Sequence, residues 1–144
     1  MNELLAEPTV RLFSICAGIL ALKMLLIGTA CGLLRVARRV YITPEDYTFM
    51  GKEPRPPDET IERVRRAHLN AIEHIVPFFG VGLPYALSGG SYRVAWWLFV
   101  TFTAARVLHT LTYVASLQPW RTIFFEIANI ALAVMVILLL VSLL

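Results

Sequence analysis

Four long apolar segments, separated by short polar stretches, organise the chain. Residues 12–34 carry a single charge, Lys23, and as a helix they could cross a hydrocarbon layer of about 30 Å at roughly 1.5 Å per residue. Apolar runs and turn-forming residues place the other three segments. The pattern predicts an all-α fold with long helices over about 10–38, 58–87, 92–117 and 119–143.

Two short turns indicate how the later helices connect. The Ser88-Gly89-Gly90-Ser91 segment is short enough to make the second and third long helices antiparallel neighbours. Pro119 suits the first turn of the fourth helix, because a backbone N–H at that position would have no partner within the helix. We therefore expect a four-helix bundle.

The loop over about 39–57 carries two helix-start signals. Thr43 can cap a short helix that has Pro44 at its first position and Asp46 three residues after the cap. Asp58 follows a proline-rich stretch and can cap the second long helix. We expect one short helix within this loop.

The composition is that of a membrane protein. Hydrophobic residues make up 58% of the chain, the mean hydropathy is +0.68, and 16% of the residues are charged. Because soluble domains keep about a quarter of their residues charged, residues 1–144 are predicted to form a single integral membrane domain.

Most of the charge lies in and beside the loop. Eight of the 13 lysines and arginines fall between Arg35 and Arg66, together with six of the ten acidic residues. This mixture argues against nucleic-acid binding. The basic residues predict that the loop faces the cytoplasm and that both termini lie on the other side.

A first row of polar side chains lies on the second long helix. Arg66, Asn70 and Glu73 occupy positions i, i+4 and i+7, on one helical face. Such groups are costly at a bilayer edge unless they meet partners or a ligand. The row therefore indicates a ligand site, while polar contacts between helices remain the alternative.

A second row, Arg106, His109 and Tyr113, lies on the third long helix. An arginine deep in an apolar segment normally faces a bundle interior or a wet cavity. Arg106 could instead form a structural ion pair with Glu73 or Glu126, and His109 could be a satisfied core histidine.

The fourth helix begins with Arg121 and Thr122, a cation and a hydroxyl beside free backbone N–H groups. This combination suits an anion, although Arg121 could also be a snorkelling anchor. The spacing of the His, Cys, Asp and Glu residues predicts no metal site. Cys16 and Cys31 are expected to be buried free thiols.

These segments together resemble the MAPEG family (membrane-associated proteins in eicosanoid and glutathione metabolism), in its microsomal glutathione transferase and prostaglandin E synthase branch. The similarity is sharpest over 43–46, 61–70, 77–83 and 105–110. It implies a homotrimer of four-helix subunits that binds glutathione between neighbouring subunits, near the cytoplasmic face.

The resemblance also implies roles for individual residues. The expected glutathione contacts are Arg35, Arg66, His68, Asn70, Glu73, His109, Tyr113, Arg121 and Thr122. Arg121 and Thr122 are assigned to thiolate stabilisation. Asp46 matches an acidic residue implicated in the synthase mechanism, although its capping role is enough to explain it. Leu69, Ala71 and Phe125 depart from the synthase pattern and favour a transferase.

The predicted function is a membrane glutathione transferase that also reduces lipid hydroperoxides, with both kinds of substrate arriving from the bilayer. A prostaglandin E synthase-type isomerase and a non-catalytic lipid-binding scaffold are the alternatives. The expected location is the endoplasmic reticulum or outer mitochondrial membrane in a eukaryote, or the inner membrane in a bacterium.

Overall fold

The computed structural model describes residues 2–144 of the chain, which form six helices joined by turns and one longer loop. The helices are α1 (Asn2–Ala6), α2 (Pro8–Arg38), α3 (Pro44–Phe49), α4 (Glu59–Leu87), α5 (Tyr92–Val114) and α6 (Trp120–Ser142). The prediction of an all-α fold is confirmed. Helices α2, α4, α5 and α6 match the four predicted long helices, and α1 is an element that the sequence pattern did not predict.

The helix ends follow local backbone chemistry. Helix α2 begins two residues before its predicted start, because Pro8 already fits the first turn. Helix α5 ends at Val114 instead of residue 117, since Ser116 adopts a left-handed φ of 61° and the Leu117 N–H turns back to the Thr112 carbonyl at 2.9 Å. The prediction for the end of α5 was therefore three residues too long.

Both predicted caps in the loop are present. The Thr43 hydroxyl accepts a hydrogen bond from the Asp46 N–H at 3.4 Å, which begins α3. Asp58 accepts from the N–H groups of Thr60 and Ile61 at 2.9 and 3.1 Å, which begins α4. The hydrogen bond from Arg38 and those from the backbone hold the pKa of the Asp58 carboxyl below its usual range.

Three helices are long and apolar enough to cross a membrane, namely α2, α5 and α6. Helix α4 is 29 residues long but does not meet this criterion, since its first half carries the charged residues that begin near Asp58. Length and hydropathy therefore support three of the four predicted membrane spans, and a membrane crossing by α4 is a proposal.

Helices α4 and α5 form the centre of the bundle. Each contacts the other, and each also contacts both α2 and α6, whereas no contact joins α2 to α6 over the described residues. The outer faces of α2 and α6 carry exposed leucine, isoleucine and valine side chains. This apolar exterior is the surface expected of a protein solvated by lipid.

An aromatic cluster fills the interior at the end of the bundle opposite the loop. Phe78 of α4 is fully buried, stacks on Phe102 with ring centroids 4.4 Å apart, and meets Phe99 edge-on at 5.8 Å. Phe13 of α2 lies 5.6 Å from both Phe78 and Phe99. Gly82 allows this approach, because a Cβ at residue 82 would lie 2.5 Å from Phe13 Cε2.

Gly82→Ala is therefore expected to destabilise the bundle by about 1–3 kcal/mol, since the added Cβ forces the Phe13 ring to shift out of its packing against Phe78 and Phe99. The thermal unfolding midpoint of purified protein in detergent measures the effect. Gly80→Ala is the matched control, because nothing lies within 4 Å of a Cβ at that position on the same helix. Equal midpoints for the two variants would show that Phe13 yields without cost.

Candidate functional site

A cavity of about 310 Å³ lies where α4, α5 and α6 meet. It is lined by seven residues, namely Asn70, His109, Tyr113, Arg121, Thr122, Phe125 and Glu126. Five of these were predicted as site residues from the sequence: Asn70, His109, Tyr113, Arg121 and Thr122. The fold therefore brings together residues from three helices that are up to 52 positions apart in the chain.

Arg121 is held at one wall of this cavity by two neighbours. Its Cζ lies 4.7 Å from the centroid of the Tyr113 ring, within the range of a cation–π contact. The Gln118 amide lies between Arg121 and Thr122, and with its oxygen toward the guanidinium it accepts from Arg121 Nη2 at 2.6 Å. In this orientation the amide nitrogen donates to Thr122 Oγ1 at 3.2 Å. The cation and the hydroxyl are thus held side by side.

An adjoining wall of the cavity is aromatic and shares Tyr113 with the first. The His109 ring meets Tyr113 edge-on at 5.6 Å and lies 5.8 Å from Phe125. His74 contacts the same Phe125 ring at 4.9 Å. His109 is buried, and its Nδ1 has no hydrogen-bond partner among the described residues. His109 thus lines the cavity with one ring nitrogen unpartnered, and within the described chain it is not a fully satisfied core histidine.

Arg106 lies behind this wall and is fully buried. An ion pair with Glu73 or Glu126 was the alternative left open by the sequence, and it does not form within the described chain, because neither carboxylate lies within 4 Å of the guanidinium. Its Nη2 instead donates to both the backbone oxygen and Oδ1 of Asn70, each at 2.9 Å. The same backbone oxygen lies 2.9 Å from His74 Nδ1.

Lys23 enters the interior from α2. Its Nζ donates to the Arg106 carbonyl at 3.2 Å and to Thr110 Oγ1 at 2.9 Å. The only charge in the central apolar part of α2 thus meets neutral oxygens of α5 instead of a carboxylate. These contacts help to set the axial position of α2 relative to α5.

Five predicted site residues lie outside the cavity in the single chain: Arg35, Asp46, Arg66, His68 and Glu73. Arg35 lines a different space of about 570 Å³, between the end of α2, the loop and the start of α4. Asp46, Arg66 and Glu73 are exposed, and His68 is half-buried against α2 beside Gly28.

The row on α4 therefore divides. Asn70 faces the cavity. At 3.6 residues per turn, the directions of Arg66 and Glu73 around the helix axis are rotated from that of Asn70 by about 40° and 60°, both in the same sense. The Arg66 Nε donates to the Glu62 carbonyl at 3.3 Å, and its guanidinium forms no ion pair within the described chain. Both charged side chains are thus presented to whatever adjoins this face of the subunit.

No group of three or more His, Cys, Asp and Glu residues within residues 2–144 is placed to hold a metal ion. Cys16 and Cys31 are buried and do not form a disulfide. The polar groups that line the cavity are the Arg121 guanidinium, the Tyr113 and Thr122 hydroxyls, the His109 imidazole, the Asn70 amide and the Glu126 carboxylate.

Comparison with known proteins identifies a family and several relatives of this chain. The model of the MAPEG family matches residues 13–141. Over 131 residues, the chain is 40% identical to microsomal glutathione S-transferase 1 of Sus scrofa and 38% identical to that of Homo sapiens, covering 87% of this chain and 84% of each relative. It is 32% identical to prostaglandin E synthase of Homo sapiens over 133 residues, covering 91% of this chain and 88% of the relative.

The chain belongs to the MAPEG family.

Every predicted site residue lies within the part of the chain that the MAPEG model matches. Membership together with the three apolar helices makes the protein an integral membrane protein. This confirms the membrane prediction that was drawn from composition.

Three residues that help to shape the site of this MAPEG chain were not among the predicted site residues. Gln118 links Arg121 to Thr122, and Phe125 and Glu126 line the cavity. A signal for the last two was available, because they follow Thr122 by one helical turn and so recur on the same face of α6. Gln118 precedes α6 in an irregular turn, where no periodic signal could mark it.

Proposed function

We propose that this protein is a membrane glutathione transferase, in which the cavity between α4, α5 and α6 holds the reacting part of glutathione. The observation that carries the proposal is the convergence of Arg121, Thr122 and Tyr113 on one cavity beside an apolar exterior. The names of the relatives at 38–40% identity, microsomal glutathione S-transferase 1, support the same activity.

The chemistry begins with the loss of the glutathione thiol proton. A free thiol has a pKa of about 8.5, and a nearby guanidinium lowers it by stabilising the thiolate. Arg121 supplies that charge, and the Thr122 and Tyr113 hydroxyls can donate hydrogen bonds to the sulfur. The thiolate then attacks an electrophilic carbon, a carbon–sulfur bond forms, and the leaving group departs with the electron pair.

The second proposed reaction is reduction of a lipid hydroperoxide. The thiolate attacks the terminal peroxide oxygen, the O–O bond breaks, and the lipid leaves as an alkoxide that takes up a proton to become the alcohol. A second glutathione displaces water from the resulting sulfenic acid and gives the disulfide. The same activated sulfur serves both reactions, so one site is sufficient.

We propose further that the working enzyme is a homotrimer whose subunits each cross the membrane four times, with the loop on the cytoplasmic side. Arg66 and Glu73 are exposed on one side of α4, and Arg35 lies at a different space from Arg121. An assembly with cyclic symmetry gives such residues a partner surface and repeats the site at each boundary. Arg35, Asp46, Arg66, His68 and Glu73 are then the residues that complete it.

Glutathione-dependent turnover by purified protein is the direct test. We expect conjugation of an aryl halide, followed as the coloured thioether, and consumption of a lipid hydroperoxide, followed as glutathione disulfide. Arg93→Leu provides a control protein, because that arginine is exposed at the far end of α5. Absence of both reactions in folded wild-type protein would refute the transferase proposal.

A prostaglandin E synthase-type isomerase is the second candidate, favoured by the relatives of that name at 32% identity. It also needs activated glutathione, but the thiolate is regenerated and no conjugate accumulates. Isomerisation of a prostaglandin endoperoxide with no aryl-halide conjugation would favour it over the transferase. Loss of glutathione binding altogether would favour the lipid-binding scaffold instead.

A further inference from the structure

The contact between Arg106 and Asn70 joins a fully buried residue to a residue that lines the cavity. Arg106 Nη2 donates to two oxygens of the same residue, the Asn70 backbone oxygen and Oδ1, each at 2.9 Å. Arg106 is 0% exposed, and no carboxylate lies within 4 Å of its guanidinium. This arginine is thus committed to a neutral partner in the interior.

The chemistry of the two groups fixes the orientation of the amide. A guanidinium only donates hydrogen bonds, so the Asn70 amide atom that faces it has to be the oxygen. The amide NH₂ then points away from Arg106, and it makes no hydrogen bond to any described residue. Because Asn70 lines the cavity, this NH₂ group is the part of its side chain that is left for a ligand.

We propose that Arg106 is a positioning residue that makes Asn70 a donor-only contact in the cavity. The ligand group that meets Asn70 must then be a hydrogen-bond acceptor, namely a carboxylate or an amide carbonyl. The inference rests on the proposed function, since glutathione carries both kinds of acceptor. Asn70 would therefore donate a hydrogen bond to a carboxylate or carbonyl of glutathione, and Arg121 would stabilise the thiolate.

The position of the guanidinium supports a role beyond holding the fold. The Arg106 Nε and Nη1 are buried and have no partner among the described residues, and burying unpaired polar groups is costly. A residue that served only to join α4 to α5 could do so with an apolar side chain at lower cost. The one contact that an apolar residue could not supply is the pair of hydrogen bonds to Asn70.

Asn70→Asp gives the sharpest test, because it preserves an oxygen that accepts from Arg106 and replaces the NH₂ group that faces the cavity by a second, negatively charged oxygen. The aspartate can pair with Arg106, so the thermal unfolding midpoint should be equal to or above that of the wild type. Its second oxygen replaces the NH₂ group and would repel an acceptor. We expect the glutathione dissociation constant, measured by calorimetry, to rise by at least about tenfold and to exceed that of Asn70→Ala.

A double-mutant cycle separates positioning from a general structural effect. Arg106→Met should raise the glutathione dissociation constant by about tenfold in the wild type but by less than about twofold in Asn70→Ala. Arg106→Lys can still donate to one oxygen, so it should raise the glutathione dissociation constant by less than Arg106→Met does. Arg93→Met removes an exposed arginine from the same helix and serves as the matched control.

Wild-type affinity for glutathione in Asn70→Asp, or equal effects of Arg106→Met in both backgrounds, would overturn the inference. If Arg106→Met does not fold, the glutathione dissociation constants of Arg106→Lys and Asn70→Asp still test the inference. Wild-type protein that binds no glutathione at all would instead refute the proposed function, so the two failures are distinguishable.

Discussion

Arg121→Leu is expected to remove most of the ultraviolet absorbance of bound thiolate and to lower the conjugation rate by roughly tenfold to a hundredfold. The reason is the loss of the guanidinium that stabilises the charged sulfur, a contact worth about 1.5–3 kcal/mol. The apparent pKa of the bound thiol should rise toward that of free glutathione. Titration of the absorbance in wild type and variant measures the shift.

The competing explanation makes Arg121 a snorkelling anchor at the membrane surface. It predicts a less stable protein with a normal thiolate signal, so overlapping titration curves would eliminate the catalytic role. Gln118→Ala is an informative companion, because it removes the amide between Arg121 and Thr122 and leaves both side chains in place. We expect its effect to lie between those of the wild type and Arg121→Leu.

Co-expression of Arg35→Leu with Arg121→Leu is expected to give a specific activity above that of either variant alone. In the single chain these arginines belong to separate spaces. If a site is built from Arg121 of one subunit and Arg35 of the next, random mixing regenerates about a quarter of the sites in a cyclic trimer. Specific activity of the mixture, compared with each variant purified alone, measures the recovery.

Differently tagged copies of the two variants show by sequential purification that mixed assemblies have formed. Recovery in those assemblies supports sites shared between subunits. Mixed assemblies that remain as inactive as the separate variants would place each site within one subunit. The same preparation, examined by native mass spectrometry, gives the number of subunits directly.

The sequence predicted the residue types of the site better than their contacts. Arg121, Thr122 and Tyr113 were recognisable because they fall at helix ends, where an adjacent turn fixes their level in the bundle. Arg106 was correctly expected to face the interior, since a charge in a long apolar segment has no other stable place. Its partner could not be predicted, because the amide and carbonyl oxygens of Asn70 come into reach only when α4 packs against α5.

The row on α4 shows a second limit of sequence reasoning. Residues at i, i+4 and i+7 share a face only to within about 60° at 3.6 residues per turn, and a cavity between helices is narrower than that. Asn70 therefore lies in the cavity, while Arg66 and Glu73 are exposed beside it. Periodicity identifies the face, but the rotation of α4 against α5 and α6 depends on packing that no local pattern encodes.

The hydrogen bonds of Lys23 constrain the order in which the chain can be completed in a membrane. Its partner Thr110 lies 87 residues further along the chain. At a synthesis rate of about 5–20 residues per second, roughly 4–17 s pass before α5 can receive the lysine. During that interval the newly made α2 carries an amine that lacks its α5 partners, and an unpaired charged group is costly in the hydrocarbon interior. The synthesis of α5 is therefore the step that supplies both partners of Lys23.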